Sequence, residues 1–123
     1  MSTIVEVEVI ALRAGLDQGD LDSSAETVVV RLTDEDGHTG IGEADAPALA
    51  VRELVLMEGV HAWSRGLREL LLGRDPFERA ALWHDLYDAT IYHGRRGLGI
   101  HALSAVDVAV HDLAGERLAR PVY

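Results

Sequence analysis

The apolar and polar positions at the start of the chain alternate. Within Ile4–Ala11, Val5, Val7 and Val9 fall on one face of an extended chain and Ile4 falls on the other. A period of two with β-branched residues is typical of a strand. The segment that follows, AGLDQGDLDSSA, is rich in Gly, Asp and Ser and has little periodicity, so it predicts a long loop.

Two further strands are predicted at Glu26–Thr33 and His38–Glu43. The intervening DEDG predicts a turn, because Gly37 can adopt a positive φ, and the two strands are expected to run antiparallel. Gly40 and Gly42 weaken a strand interior, so they indicate a place where another backbone or side chain packs closely.

The apolar period then becomes helical. One helix is predicted at Leu49–Met57, and a second short helix, in SRGLRELLL, is expected to stop at Gly73. A third helix has a marked start, with Asp75 as N-cap, Pro76 at the first helical position and Glu78 as capping-box partner. It is predicted to direct five side chains toward the core: Phe77, Leu82, Trp83, Leu86 and Tyr87.

The longest predicted helix covers Ile100–Leu118 and is apolar on most sides, which is typical of a helix covered from more than one direction. Strands followed by helices indicate an α+β fold. The prediction is a three-stranded antiparallel β-meander followed by a bundle of three to four helices.

Composition narrows the possible functions. The chain has 123 residues and a formal net charge of −10, which suits one domain and argues against nucleic-acid binding. It contains neither cysteine nor lysine, which excludes thiolate chemistry and Schiff-base chemistry within it. The start lacks a basic leader, and no apolar stretch approaches membrane-spanning length. We therefore expect a cytoplasmic protein with no membrane partner.

One face of the longest predicted helix carries Ser104, Asp107 and His111. These are the residue types of a hydrolase triad. A nucleophilic serine needs a sharp turn and an oxyanion hole, and a mid-helix serine has neither. An i,i+4 pair between Asp107 and His111 is the favoured interpretation. The spacing of the six histidines matches no recognised metal motif, so no metal ligand is predicted.

The segment YHGRRGLG places Arg95 and Arg96 just before a helix N-terminus. Free N–H groups and the helix dipole favour anions there, so the two arginines are candidates for a carboxylate or phosphate cradle. The alternative is a tight interhelical loop whose arginines pair with the many acids of the chain, and this alternative is favoured.

Three stretches together resemble the N-terminal capping domain of the mandelate racemase/muconate lactonizing enzyme branch of the enolase superfamily. They are TGIGEAD, LLLGRDPFERAALWHDLY and ALSAVDVAVHDLAGERLARPVY. The segment YHGRRGLGIHALSAVD is most similar to members that dehydrate acid sugars. Two positions depart from the family pattern, since His111 stands where tryptophan is usual and Glu116 where lysine is usual.

The resemblance implies that residues 1–123 are a capping domain, because a (β/α)-barrel takes about 250 residues and the chain has no room for one. It implies a lyase or isomerase that abstracts a proton α to a carboxylate with Mg²⁺, whose metal ligands and base lie on the absent barrel. This chain alone is then expected to have no catalytic residue, no metal ligand and no cofactor.

The same resemblance assigns substrate-facing roles to two loops, Gly15–Ser24 and Ala44–Leu49, with Gln18, Asp20 and Asp45 as candidates. The expected partners are the missing barrel domain, a small carboxylate such as an acid sugar, and further copies in a homo-oligomer. The alternative is a stand-alone binding or interaction module that retains the capping fold.

Overall fold

The computed structural model describes residues 1–13 and 26–123. Three strands are followed by four helices: β1 Ile4–Arg13, β2 Glu26–Asp34, β3 Thr39–Ala44, α1 Ala48–Leu56, α2 Leu67–Leu71, α3 Arg79–Ala89 and α4 Leu98–Leu118. The predicted α+β class, with a meander and then a helical bundle, is confirmed. Within the described ranges, no helix has both the length and the apolarity needed to cross a membrane.

The sheet is antiparallel in the order β1-β2-β3, with β2 in the centre. Its inner face is apolar, and Val28, Val30 and Leu32 of β2 are completely buried. In a meander the chain leaves β1, enters β2 and leaves β3 at the same end of the sheet. Arg13 accordingly pairs with Glu26, and Val28 pairs with Ala44.

The predicted strict alternation of β1 is wrong at its start. The register between β1 and β2 shifts between Ile4 and Glu6, which is the signature of a β-bulge. The extra residue turns Ile4 and Val7 toward the same face, so both are buried, whereas Val5 is 50% exposed. Ile4 is also tied to the α2–α3 connection, because its N–H donates to Arg74 O at 2.9 Å.

The two glycines of β3 permit the close approach that the sequence predicted. A Cβ atom at Gly40 would lie 2.3 Å from the carbonyl oxygen of Ala109, and one at Gly42 would lie 1.9 Å from that of Ala105. Both carbonyls belong to α4, so this helix lies directly on β3. Asp112 of α4 also accepts a hydrogen bond from the N–H of Ile41 at 2.8 Å.

Helix α4 forms the centre of the core, where Leu103, Val106, Val110 and Leu113 are buried. It packs against β2, β3, α1 and α3, which confirms that it is covered from several directions. Complete burial of each such side chain contributes about 1.5–3 kcal/mol relative to exposure. Val108 and Leu118 of this helix are exposed instead, at 51% and 59%.

The predicted start of α3 is wrong by three residues. The helix begins at Arg79, and Asp75 instead stabilises a turn before it by accepting the N–H of Phe77 at 3.0 Å. The Asp75 carbonyl also accepts the N–H of Glu78 at 3.0 Å. Phe77 is 40% exposed and lies 4.8 Å beneath the guanidinium of Arg117, so its expected place in the core is also wrong.

Candidate functional site

The end of the sheet where β1 and β3 terminate combines two connections that the sequence singled out. Arg13 and Glu26 flank residues 14–25, and Ala44 leads into Asp45. Gln18 and Asp20 lie outside the described residues. Asp45 is exposed at this end of the sheet, so the fold brings it close to the strand residues that flank the first connection.

The first two residues of β2 fix the connection between β3 and α1. Glu26 Oε1 accepts the backbone N–H of Ala48, the first residue of α1, at 2.5 Å. Thr27 Oγ1 lies 2.7 Å from Glu43 Oε1 and 3.2 Å from the carbonyl oxygen of Ala44, within donating distance of both. The connection is thus held at both ends by side chains of the neighbouring strand.

A cleft at this edge of the sheet has an acidic lining. Its volume is about 310 Å³, and Glu26, Asp45, Ala46 and Pro47 surround it. Arg13 Nε lies 3.9 Å from Glu26 Oε2. Two carboxylates in a small cleft can accept hydrogen bonds from hydroxyl groups, whereas they repel another carboxylate.

Sequence reasoning named Asp45 but missed Glu26. In the sequence, Glu26 is only the polar first residue of a strand, and nothing local distinguishes it from other strand-end acids. Its partner Ala48 lies 22 residues further along the chain. The contact exists because the meander places the start of β2 beside the start of α1.

The two arginines of YHGRRGLG have different surroundings. Arg95 Nη2 lies 3.2 Å from Asp88 Oδ1, and its guanidinium lies 4.6 Å from the centre of the Tyr87 ring. Arg96 is exposed. The pair with Asp88 is the arrangement expected for a tight interhelical loop with internal ion pairs, and the anion cradle stays a prediction.

A larger cleft of about 590 Å³ lies among the helices and includes Arg95 in its lining. Its other charged residues are also paired. Arg74 Nη1 lies 2.7 Å from Asp85 Oδ2, and Arg65 Nε lies 3.0 Å from Glu69 Oε2. These pairs balance the charge of the cleft, so it offers no strong field for a charged ligand.

The Ser104, Asp107 and His111 set has the geometry of an ordinary helix face. The Nδ1 atom of His111 lies 2.9 Å from the backbone carbonyl oxygen of Asp107 and 3.7 Å from its carboxylate. Ser104 is exposed in the middle of α4. The i,i+4 interpretation is the one that these distances support.

Asp34, Asp36 and His38 offer ligand atoms within 4.8 Å of one another, a cluster that the sequence analysis did not predict. The buried Asp34 Oδ1 already accepts the N–H groups of Asp36 and His38, at 3.0 and 2.9 Å. Arg117 Nε lies 3.5 Å from Asp34 Oδ2. Because the carboxylate is occupied and faces a fixed cation, we interpret the cluster as support for the β2–β3 turn.

The outer face of the sheet keeps an apolar patch. We call it the outer patch and define it by Ile10, Leu12 and Ile41, which are 39%, 47% and 52% exposed, together with the partly buried Val29. Ile10 pairs with Val29 across β1 and β2. Beside the outer patch, Arg31 donates a hydrogen bond to the carboxylate of Glu8 and forms an ion pair with it. This contact lowers the pKa of Glu8.

The sequence profile of the mandelate racemase/muconate lactonizing enzyme N-terminal domain matches residues 19–123. The match covers most of the chain, and the observed meander and helical bundle agree with it. The chain therefore belongs to the mandelate racemase/muconate lactonizing enzyme family of the enolase superfamily and corresponds to the N-terminal domain. The resemblance drawn from the three motifs is confirmed.

Two relatives in sequence are dehydratases. The chain is 33% identical over 97 residues to an L-rhamnonate dehydratase of Saccharopolyspora erythraea, covering 79% of this chain and 23% of that enzyme. It is 34% identical over 98 residues to an arabinonate dehydratase of Saccharolobus solfataricus, covering 80% of this chain and 25% of that enzyme.

A solved structure of a racemase from Streptomyces coelicolor with bound magnesium has the same fold in its matched part. The TM-score is 0.75 at 31% identity, and the match covers 94% of this chain and 32% of the racemase. The chain thus spans about a quarter of the length of the curated relatives that it matches.

Proposed function

We propose that this chain is the substrate-specificity lid of a Mg²⁺-dependent enolase-superfamily enzyme, an acid-sugar dehydratase that abstracts a proton α to a carboxylate. The family match and the dehydratase relatives support the class of reaction. The acidic cleft formed by Glu26 and Asp45, at the end of the sheet where both singled-out connections begin, supports the role of lid.

The chemistry of that cleft suits one end of a sugar acid. The exposed Asp45 carboxylate accepts hydrogen bonds from the hydroxyl groups of the distal end, and the negative charge of Asp45 and Glu26 disfavours the substrate carboxylate there. The reactive end of the molecule is therefore directed away from the cleft. The lid also excludes water from the reaction, which strengthens every electrostatic interaction inside.

The described residues do not fit a catalytic Mg²⁺ site. Glu26 is engaged by Ala48 and Arg13, and Asp34 is engaged by its own turn and by Arg117. We propose that the metal and the base belong to a barrel domain joined to this one, as in the resemblance. The further proposed properties are a homo-oligomeric assembly and a cytoplasmic location.

Exchange of a loop in the enzyme that carries this domain tests the role of lid. Replacing Gly15–Ser24 with the equivalent segment of a relative should change which acid sugar has the highest kcat/KM. Exchange of the substrate α-proton with solvent should persist, because the base lies on the other domain. An unchanged preference together with lost α-proton exchange would refute the assignment.

The 123-residue chain by itself gives a complementary test. We expect no dehydration of sugar acids above the buffer rate, and no saturable Mg²⁺ binding at micromolar concentration in calorimetry. Dehydration of a sugar acid or saturable Mg²⁺ binding by the chain alone would contradict the proposal that the catalytic residues lie elsewhere. A specific ligand bound by the chain without any barrel would favour the stand-alone module instead.

A further inference from the structure

We propose that Glu26 is a positioning residue that joins the two connections at this edge of the sheet. One carboxylate contacts the residue that precedes the first connection and the residue that ends the second. The effect on substrate choice rests on the proposed function, whereas the contact itself rests on the geometry alone.

The two oxygens of Glu26 have different partners. Oε1 accepts the N–H of Ala48 at 2.5 Å, and Oε2 lies 3.9 Å from Nε of Arg13. The Glu26 side chain is 31% exposed and that of Arg13 is 63% exposed. The bond to Ala48 is therefore the stronger of the two, since it is charge-assisted and partly shielded from water, whereas the exposed pair is weakened by solvent.

The contact replaces a cap that α1 lacks. The N-cap residue is Pro47, which makes no side-chain hydrogen bond to the helix, and the first turn contains no acidic residue. The first N–H groups of a helix have no partner within the helix and favour a negative charge. Glu26 supplies both the acceptor and the charge from a different strand.

The position of Asp45 follows from this contact. Thr27 holds the carbonyl of Ala44, and Glu26 holds the N–H of Ala48. The short segment between them, which carries Asp45 into the cleft, is thus fixed at both of its ends. Loss of the Glu26 carboxylate frees one end, so the Asp45 carboxylate samples more orientations relative to a bound hydroxyl group.

NMR spectroscopy of the 123-residue chain tests the contact directly. In Glu26→Ala, the Ala48 amide should exchange with solvent about tenfold faster than in the wild type, and its proton resonance should move upfield, since the acceptor is gone. Glu26→Gln retains an oxygen acceptor and should restore most of the protection. Glu53→Ala, at an exposed position of α1, is the matched control and should leave the Ala48 amide unchanged.

Unchanged exchange and unchanged shift at Ala48 in folded Glu26→Ala would overturn the proposal. If Glu26→Ala does not fold, Glu26→Gln still decides, because a charge-assisted bond should weaken measurably when the charge is removed. An Ala48 resonance identical in Glu26→Gln and the wild type would then also overturn it.

Kinetics of the enzyme that carries this domain test the consequence. Glu26→Ala should raise KM for the preferred acid sugar about tenfold and leave kcat within about twofold, because the reacting groups lie elsewhere. Glu26→Gln should recover part of the KM. A wild-type KM in Glu26→Ala would overturn the positioning role. A wild-type enzyme inactive on every acid sugar would refute the proposed function and leave the NMR result on Glu26 intact.

Discussion

Arg117 Nε, in the last turn of α4, lies 3.5 Å from Oδ2 of Asp34 at the end of β2. The Asp34 side chain is fully buried and that of Arg117 is 14% exposed. The same guanidinium donates to Ser2 O at 3.0 Å and lies 3.3 Å from Asp75 Oδ1. One side chain therefore joins the N-terminus, the β2–β3 turn, the turn before α3 and the end of α4.

Removal of this arginine should cost considerable stability. We expect Arg117→Ala to lower the free energy of unfolding by about 2–4 kcal/mol, because it leaves the buried Asp34 carboxylate without its cation. Urea denaturation measures the change. Arg120→Ala, at an exposed position two residues after α4, should stay within about 0.5 kcal/mol of the wild type. Equal effects of the two substitutions would contradict the central role of Arg117.

Asp34 should also contribute to acid sensitivity. Burial raises the pKa of Asp34, but hydrogen bonds from the backbone and ring of His38, together with those from Ser2 and Asp36, outweigh it, so the net pKa is lowered. A lowered folded-state pKa stabilises the protein above about pH 4, and this contribution is lost as the pH falls through the folded-state pKa. Asp34→Asn should therefore lose less stability than the wild type as the pH falls below about 4.

Thermal unfolding at a series of pH values checks this prediction. Glu8→Gln is the control, since the Arg31 pair lowers the pKa of Glu8 at an accessible position. Added salt should remove the effect of Glu8→Gln and not that of Asp34→Asn, because buried charges are screened much less. The same acid slope in Asp34→Asn and the wild type would count against the prediction.

Gly42 should tolerate no side chain. A Cβ atom there would lie 1.9 Å from the carbonyl oxygen of Ala105, so Gly42→Ala must displace α4 from β3. We expect a loss of more than about 3 kcal/mol, or failure to fold. Gly37→Ala is the contrast, because its Cβ meets nothing within 4 Å and the cost is only the positive φ of 86°, about 1 kcal/mol. Circular dichroism and urea denaturation of both variants provide the comparison.

Replacement of Ala119 with glycine should stabilise the protein. It ends α4 in the left-handed conformation with φ 50° and ψ 43°, and its N–H bonds back to the last turn. Glycine adopts this conformation without the Cβ penalty, so Ala119→Gly should raise the free energy of unfolding by about 0.5–1 kcal/mol. Ala81→Gly within α3 should do the opposite by about 1 kcal/mol. If Ala119→Gly is less stable than the wild type, the extra conformational entropy that glycine gives the unfolded chain outweighs the relief of the Cβ penalty.

The chain by itself should self-associate through the outer patch. Apolar burial contributes about 25 cal/mol per Å², and the net charge of −10 opposes it only within the screening length of about 8–10 Å. Light scattering over a concentration and salt series should show association that rises with salt. Leu12→Lys should reduce it, and Val60→Lys, at a 92% exposed position elsewhere, should not. A monomer at high concentration and high salt would show that the patch drives no association.

The longest helix does not supply this surface, although its apolar residues Leu103, Val106, Val110 and Leu113 point in several directions. The structure buries these four within the domain, because β3 approaches through its glycines and α1 and α3 cover the remaining sides. The outer patch, on the other face of the sheet, is exposed instead.

The sequence by itself determined the elements and their order. Periods of two and of 3.6 residues depend on neighbours two to four positions apart, so they are visible along the chain. The glycines of β3 also indicated a close contact, because glycine weakens a strand interior and often marks a place where another backbone approaches closely. Asp45 could be named through the family motif that ends β3.

Only the tertiary structure decided which distant groups meet. It supplied α4 as the partner of Gly42, placed Asp75 in a turn braced by Arg117, and put Glu26 against Ala48. Each contact spans more than 20 residues, and its geometry depends on how whole elements dock. A hydrogen bond requires placement to within a few tenths of an ångström. Local periodicity does not encode such placement. The packing of whole elements in the core determines it.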